Sequence, residues 1–108
     1  LGHLPLMFRL VLVTAPPKKA DALAKGLVAA RLAACVNVVP GMVSHYRWEG
    51  ELHRDKEALL VIKTRAALLK KVEAWVKKHH PYTVPEVLAL PVAGGSKDYL
   101  AWLAGATK

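Results

Sequence analysis

Cysteine is almost absent from this chain of 108 residues, which contains only Cys35. One thiol excludes a disulfide framework within the chain and is typical of a reducing compartment, so we expect a cytoplasmic location. No apolar run approaches the ~20 residues that a membrane-spanning helix needs, so we expect no membrane partner. The N-terminal LGHLPL lacks the basic and apolar regions of a signal peptide. We expect residues 1–6 to form a flexible tail and residues 7–108 to form one domain.

Acidic residues are also few, with 8 Asp and Glu against 16 Lys and Arg and a net charge of +8. A charge this high raises nucleic acid as a possible partner. The lysines are dispersed over two predicted helices, however, and no aromatic-interleaved strand or Arg-rich arm accompanies them. We therefore interpret them as solvated helix faces and do not expect nucleic acid as a partner.

The motifs of catalysis are missing as well. The sequence has no Ser-His-Asp set, carboxylate pair or CxxC, and Gly94-Gly95 lacks the G-x-G-x-x-G pattern of a nucleotide loop. Cys35 lies between Ala34 and Val36 at the start of a predicted strand, where a packed core cysteine is a better interpretation than a nucleophile. We expect this protein not to be an enzyme.

What the chain does contain is a long β-hairpin, predicted from Ala34 to Thr64 with its turn at residues 49–51. Residues 43–48 alternate at period 2, which is typical of a strand with two different faces. Pro40-Gly41 interrupts the first arm and predicts a bulge. An isolated hairpin cannot bury both faces, so the rest of the chain or another copy must cover them.

The flanking segments complete an α+β domain. Apolar runs predict strands at residues 7–14 and 86–91, and helical periodicity predicts helices at 18–33, 65–79 and 97–104. The apolar face predicted for the second of these helices consists of Leu68, Leu69, Val72, Trp75 and Val76. Gly26 is interpreted as a close contact between the first helix and the sheet, Ser96 as the cap of the last helix, and Tyr99 and Trp102, with Leu103, as its anchors. The order β-α-β-β-α-β with an added C-terminal helix predicts a ferredoxin-like sandwich. Because helices cover one face of the sheet, self-association is expected to cover the other.

Histidines are the candidate metal ligands. His80 begins HPYTVPE, and an extended turn could bring its imidazole to the carboxylate of Glu86, a pair that suits Cu(II) or Zn(II). A structural histidine at a helix end explains the same spacing, so this alternative stays open. His45 and His53 flank the hairpin turn, where we interpret them as exposed strand residues.

Several ordered motifs resemble the CutA family of divalent-cation tolerance proteins. They are RLAACVN (31–37), S-x-Y-x-W-x-G (44–50), IKT (62–64) and HPYxxPE (80–86), and the match runs from about residue 10 to 103. The resemblance implies a homotrimer in which long hairpins extend sheets between subunits. It also implies divalent-metal binding, with copper first and zinc second, at His80 and Glu86. Some members place a cysteine at the end of the first strand, where this chain has Val13.

An alternative function follows from a second similarity. The CutA architecture is similar to that of trimeric PII-type signalling proteins, which bind small effectors in clefts between subunits. This similarity implies a small-molecule or anion sensor, with Tyr82, Trp48 and Lys63 as lining residues. Core and interface positions are the other interpretation of these three side chains.

Overall fold

The computed structural model describes residues 6–108. Its elements, in chain order, are β1 (Phe8–Ala15), α1 (Pro17–Ala29), β2 (Cys35–Trp48), β3 (Glu51–Arg65), a 3₁₀ turn (Ala66–Leu68), α2 (Leu69–His79), β4 (Leu88–Pro91) and α3 (Lys97–Ala106). The predicted β-α-β-β-α-β order with a C-terminal helix is therefore confirmed. Of the predicted tail, residues 1–5 lie outside the described residues and Leu6 is exposed.

The strands form one antiparallel sheet in the order β2-β3-β1-β4. The β2–β3 hairpin turns through Glu49 and Gly50, which both have positive φ (51° and 80°), as a two-residue turn of type I′ requires. The predicted bulge is confirmed, since the β2–β3 register shifts between Val39 and Met42 and Gly41 there has φ 77°.

The core lies between the sheet and the helices α1 and α2. Alternate strand residues face the helices and are fully buried, as are the apolar stripes of both helices. They include Val11, Val13, Leu27, Leu60, Ile62 and Val72, each at 0% exposure. The apolar face predicted for the second helix is confirmed at Leu68, in the 3₁₀ turn, and at Val72 and Val76 in α2, which are all buried.

α1 ends four residues before the predicted Ala33, and the backbone shows why. Arg31 adopts the left-handed region (φ 62°), and its N–H donates to the carbonyl of Val28. The N–H of Leu32 reaches back to the carbonyl of Leu27. These two bonds form a Schellman motif, which ends a helix whatever its apolar periodicity.

Three local predictions were wrong. Gly26 faces the other helix rather than the sheet, because a Cβ built there would lie 2.5 Å from Cζ2 of Trp75 in α2. Of the three predicted anchors of α3, Tyr99 and Trp102 are 41% and 50% exposed, so they do not anchor it, whereas Leu103 is buried as predicted. Cys35 is partly exposed rather than packed in the core. The cap at Ser96 is confirmed, with its hydroxyl accepting from the N–H of Tyr99.

The sheet surface opposite α1 and α2 is called the open face here. Strand alternation and register place Leu10, Leu12, Leu59, Val61, Leu88 and Leu90 on it. Leu88 and Leu90 are 58% and 44% exposed. In residues 6–108 of a single chain, these apolar side chains stay in contact with solvent.

Candidate binding cavity

A cavity of about 650 Å³ lies between the hairpin and the segment 81–86 that connects α2 to β4. This segment is called the linker. The cavity is lined by Thr14, Ser44, His45, Tyr46, Trp48, Glu57, Pro81, Tyr82, Thr83, Val84 and Glu86. The volume lies in the range of small-molecule sites, which run from about 300 to 1,000 Å³.

The hairpin provides one wall through its two-residue periodicity. Ser44, Tyr46 and Trp48 alternate along β2 and therefore project from the same side of the strand. Tyr46 pairs with His53 across the ladder, and their rings stack with centroids 5.2 Å apart. Its hydroxyl donates a hydrogen bond to the carboxylate of Asp55. This bond is the main reason that the pKa of Tyr46 is raised.

Glu57 is a buried carboxylate that lines the cavity, with 6% exposure. Its Oε2 accepts a hydrogen bond of 2.9 Å from the hydroxyl of Tyr82. Burial, and then this hydrogen bond, raise the pKa of Tyr82 well above its ordinary value, so the phenol remains a donor. Among the described residues, the one salt bridge joins Lys77 to Glu73, and none involves Glu57. Burying an unpaired carboxylate costs free energy unless a bound ligand supplies a balancing positive charge.

Glu86 brings a second carboxylate to the same cavity from the end of the linker. Burial raises the pKa of Glu86, and the negative charge of Glu57 raises it further. The two carboxylates are therefore close enough to interact electrostatically across the cavity. An acidic group whose ionisation is opposed by a neighbouring carboxylate favours a cation between the two.

His80 lies behind the cavity wall rather than in it. The side chain is 7% exposed, and its Nε2 donates to the carbonyl of Thr14 at 2.8 Å. Its Nδ1 accepts from the N–H of Tyr82 at 3.1 Å. His80 therefore ties the linker to β1, and binding a metal would require it to give up one of these two hydrogen bonds.

The predicted His80–Glu86 metal pair is thus divided in this structure, with only Glu86 lining the cavity. Within residues 6–108, no group of three or more His, Cys, Asp or Glu side chains is arranged to hold a metal ion. The shared metal site stays a prediction. Val13, the position at which the resemblance places a cysteine in some members, is fully buried in the core.

Of the predicted effector-binding residues, Trp48 and Tyr82 line the cavity and Lys63 does not. Lys63 is six residues along β3 from Glu57, a distance of roughly 20 Å in a strand. Its ammonium instead lies 5.8 Å from the ring centroid of Tyr99. His45 is an exposed residue of β2, as predicted, and it also borders the cavity. His53 is half-buried rather than exposed and stacks on Tyr46.

The sequence interpretation missed Glu57. Its signal was a charged residue directly before the apolar run of Ala58 to Ile62, at a position that shares the face of Leu59. A carboxylate placed at the edge of a buried run is expected to need a partner.

The sequence profile described as "CutA1 divalent ion tolerance protein" matches residues 9–106. The chain belongs to the CutA1 family. The "Divalent-cation tolerance protein CutA" of Thermus thermophilus is 52% identical over 98 residues, which cover 90% of this chain and 95% of that protein. The "Protein CutA, chloroplastic" of Arabidopsis thaliana is 50% identical over 99 residues, and the match spans 54% of its length. The chain thus spans about half of that chloroplastic relative.

Solved CutA1 structures share the fold. The Cut A1 structure from Thermus thermophilus superposes with a TM-score of 0.91 at 50% identity and covers 94% of this chain and 100% of that one. The CutA1 structure from Oryza sativa gives 0.92 at 46% identity, with 96% of each chain covered. This agreement confirms the predicted ferredoxin-like α+β class. In the described part of this CutA1 chain, no helix is long and apolar enough to cross a membrane.

Proposed function

We propose that this CutA1 protein binds a divalent cation in the cavity, through the carboxylates of Glu57 and Glu86. The observation that carries the proposal is Glu57, a buried carboxylate that accepts one hydrogen bond and has no basic partner among the described residues. A divalent cation would neutralise both carboxylates at once. The names of the family and of its bacterial relative, which refer to divalent cation tolerance, support the same ligand class.

Copper is the first metal in this proposal and zinc the second. Both favour imidazole over a purely carboxylate site. His45 alternates with Ser44 and Tyr46 along β2, so its side chain projects from the opposite side of the strand and is not proposed as a ligand. His80 could join Glu86 only by releasing Thr14 or Tyr82. The proposed role is binding and not catalysis, and the proposed location is cytoplasmic.

A homotrimer is part of the same proposal. The open face carries partly exposed leucines, and β2 and β4 are the two edges of the sheet. Contact with a second copy is more favourable for such a face and such edges than exposure to solvent. The number of three subunits comes from the family resemblance.

The alternative is a small-molecule sensor that uses this cavity. A site of this volume with aromatic walls suits an organic ligand. The part of the lining that one described chain contributes contains neither Lys nor Arg, so its charge opposes a phosphorylated ligand. The sensor proposal is therefore supported for a cationic effector more than for an anion.

Titration calorimetry with Cu(II), Zn(II) and Mn(II) tests the divalent-cation proposal. We expect Glu57→Gln and Glu86→Gln each to weaken binding about tenfold or more, because each removes a charged ligand. Glu73→Gln is the matched control, since Glu73 is exposed on α2 and pairs only with Lys77. Unchanged affinity in both cavity variants would contradict the proposal.

His80→Ala separates the two interpretations of the predicted ligand pair. If His80 ties the linker to β1, the variant loses stability and its folded fraction keeps most of its metal affinity. If His80 is a ligand, the affinity for Cu(II) falls more than the affinity for Mn(II), because imidazole favours copper. Circular dichroism on the same samples provides the folded fraction.

A further inference from the structure

The cavity has aromatic walls that a divalent cation does not need. Tyr46, Trp48 and Tyr82 all line it, and in a single chain each is between 38% and 45% exposed. By register, Tyr46 and Trp48 share the open face with Leu59, so a ligand binds where the proposed assembly leaves this part of the open face uncovered. Two of these rings come from the hairpin and one comes from the linker, so they border the cavity from two sides. The face of an aromatic ring attracts cations, and Trp attracts them most strongly.

Acidic residues are concentrated at this site although the protein as a whole is basic. Asp55, Glu57 and Glu86 are three of only 8 acidic residues in a chain of net charge +8. Two of them line the cavity, and the third accepts the hydrogen bond of Tyr46. The lining from the described chain contains no Lys or Arg. A negative cavity on a positive surface selects ligands by charge as well as by shape.

Size provides the third argument. A bare ion and its direct ligands occupy a small part of about 650 Å³. Ring faces and Val84 are poor partners for a hydrated metal ion, but they pack well against methylene and methyl groups. The walls therefore match a ligand that carries its positive charge on a carbon framework.

We propose that this cavity binds an organic cation of the alkylammonium or guanidinium class. The carboxylates of Glu57 and Glu86 neutralise its charge, and Tyr46, Trp48 and Tyr82 hold its carbon framework through cation–π and apolar contacts. This site goes beyond the divalent-cation site but shares its carboxylates. The two ligands therefore exclude one another, and the aromatic side chains matter only to the organic one.

Calorimetry and intrinsic tryptophan fluorescence with two probes, tetramethylammonium and agmatine, test this inference on the intact protein. We expect saturable binding of both probes and much weaker binding of tert-butanol, a neutral molecule of comparable size to tetramethylammonium. Trp48→Leu should weaken the binding of tetramethylammonium roughly fivefold, the effect of removing one partly desolvated cation–π contact. Glu57→Gln should weaken the binding of both cations and leave the binding of tert-butanol unchanged.

Trp102→Leu is the matched control for the aromatic wall. Trp102 is 50% exposed on α3 and does not line the cavity, so its removal should leave the binding of both cations unchanged. The same variants distinguish this inference from the divalent-cation proposal, because the Trp48→Leu variant should keep its affinity for Mn(II). If Mn(II) binding fails everywhere while tetramethylammonium still binds, the metal proposal fails and this inference stands.

A competition experiment needs no variant that could fail to fold. In the wild-type protein, a saturating concentration of Mn(II) should reduce the apparent affinity for agmatine, because both use Glu57 and Glu86. Binding of tert-butanol as tight as that of tetramethylammonium would overturn the inference, as would absence of saturable binding of either cation. A change of assembly size in Glu57→Gln together with no cation binding would also overturn it, because a basic residue of a second copy would then be the partner of Glu57.

Discussion

At the scale of single residues, the cavity carboxylates are placed at a cost to the fold. The side chain of Glu86 is exposed in the single chain, but partial desolvation and then the negative charge of Glu57 raise its pKa and disfavour its charged form. Tyr82 offsets part of the cost at Glu57 by donating its hydroxyl at 2.9 Å. Residues that oppose folding but line a cavity are typical of binding sites.

Replacing Glu86 by Gln is expected to raise the melting temperature at pH 7 in metal-free protein. The folded-state pKa of Glu86 lies above its ordinary value of 4.5, so the stability gained from its protonated form is fully present below that pH. This stability is lost as the pH rises through the folded-state pKa. The gain in the variant should therefore be largest at neutral pH and disappear below about pH 4.5.

Thermal melts of the two proteins across this pH range, with a chelator present, measure the effect. Glu73→Gln provides the control, because it breaks an exposed salt bridge on α2 and should not gain stability at neutral pH. A Glu86→Gln variant that melts no higher than wild type at pH 7 would show that the carboxylate is not disfavoured in the folded state.

At the scale of elements, α1 and α2 are in close contact where Gly26 meets Trp75. A Cβ at residue 26 would lie 2.5 and 2.7 Å from two ring carbons of Trp75, which is closer than packed atoms allow. The same ring stacks on His79 with centroids 4.0 Å apart, so it has little room to move. The glycine thus allows the close packing of the two helices.

Gly26→Ala is expected to destabilise the protein by about 1–3 kcal/mol, because overpacking outweighs the gain in helix propensity of about 1 kcal/mol. Urea denaturation measures the change. Gly105→Ala in α3 is the matched control, since no atom lies within 4 Å of the added Cβ, and it should be neutral or stabilising. Adding Trp75→Leu to Gly26→Ala should recover part of the loss, and independent effects of the two changes would contradict the proposed contact.

At the scale of the whole molecule, the open face of a single chain leaves apolar side chains exposed to solvent. Leu88 and Leu90 on β4 are 58% and 44% exposed, and β4 is an edge strand. Apolar side chains on a sheet face are stabilised when a second copy excludes water from them. The proposed trimer accounts for this surface and for the long hairpin together.

Leu90→Lys is expected to reduce the assembly from a trimer to smaller species, because it places a charge within the proposed interface. Light scattering of the purified protein measures the mass. Val28→Lys is the matched control, since Val28 has a similar exposure of 42% but lies on α1, away from the open face. A wild-type monomer would contradict the trimer, and an unchanged trimer in Leu90→Lys would place the interface elsewhere.

Patterns that are local in the chain were sufficient to predict most of the fold. Period-2 alternation, Pro40-Gly41 and the stripe around Val72 and Val76 predicted the hairpin, its bulge and the buried face of α2, because each depends on near neighbours. Together with the ordered motifs of the CutA family, they determined the fold class. Glu86 was also singled out from sequence, through the spacing of HPYTVPE.

Contacts between distant segments were decided only by the tertiary structure. His80 bonds to the carbonyl of Thr14, 66 residues away, and Tyr82 bonds to Glu57, 25 residues away. Gly26 meets Trp75 across two helices for the same reason. The sequence by itself determined the elements and their order, because hydrophobic periodicity and turn chemistry act over a few residues. Which side chains share the cavity was decided by strand register and helix packing, since these join residues that the chain keeps far apart.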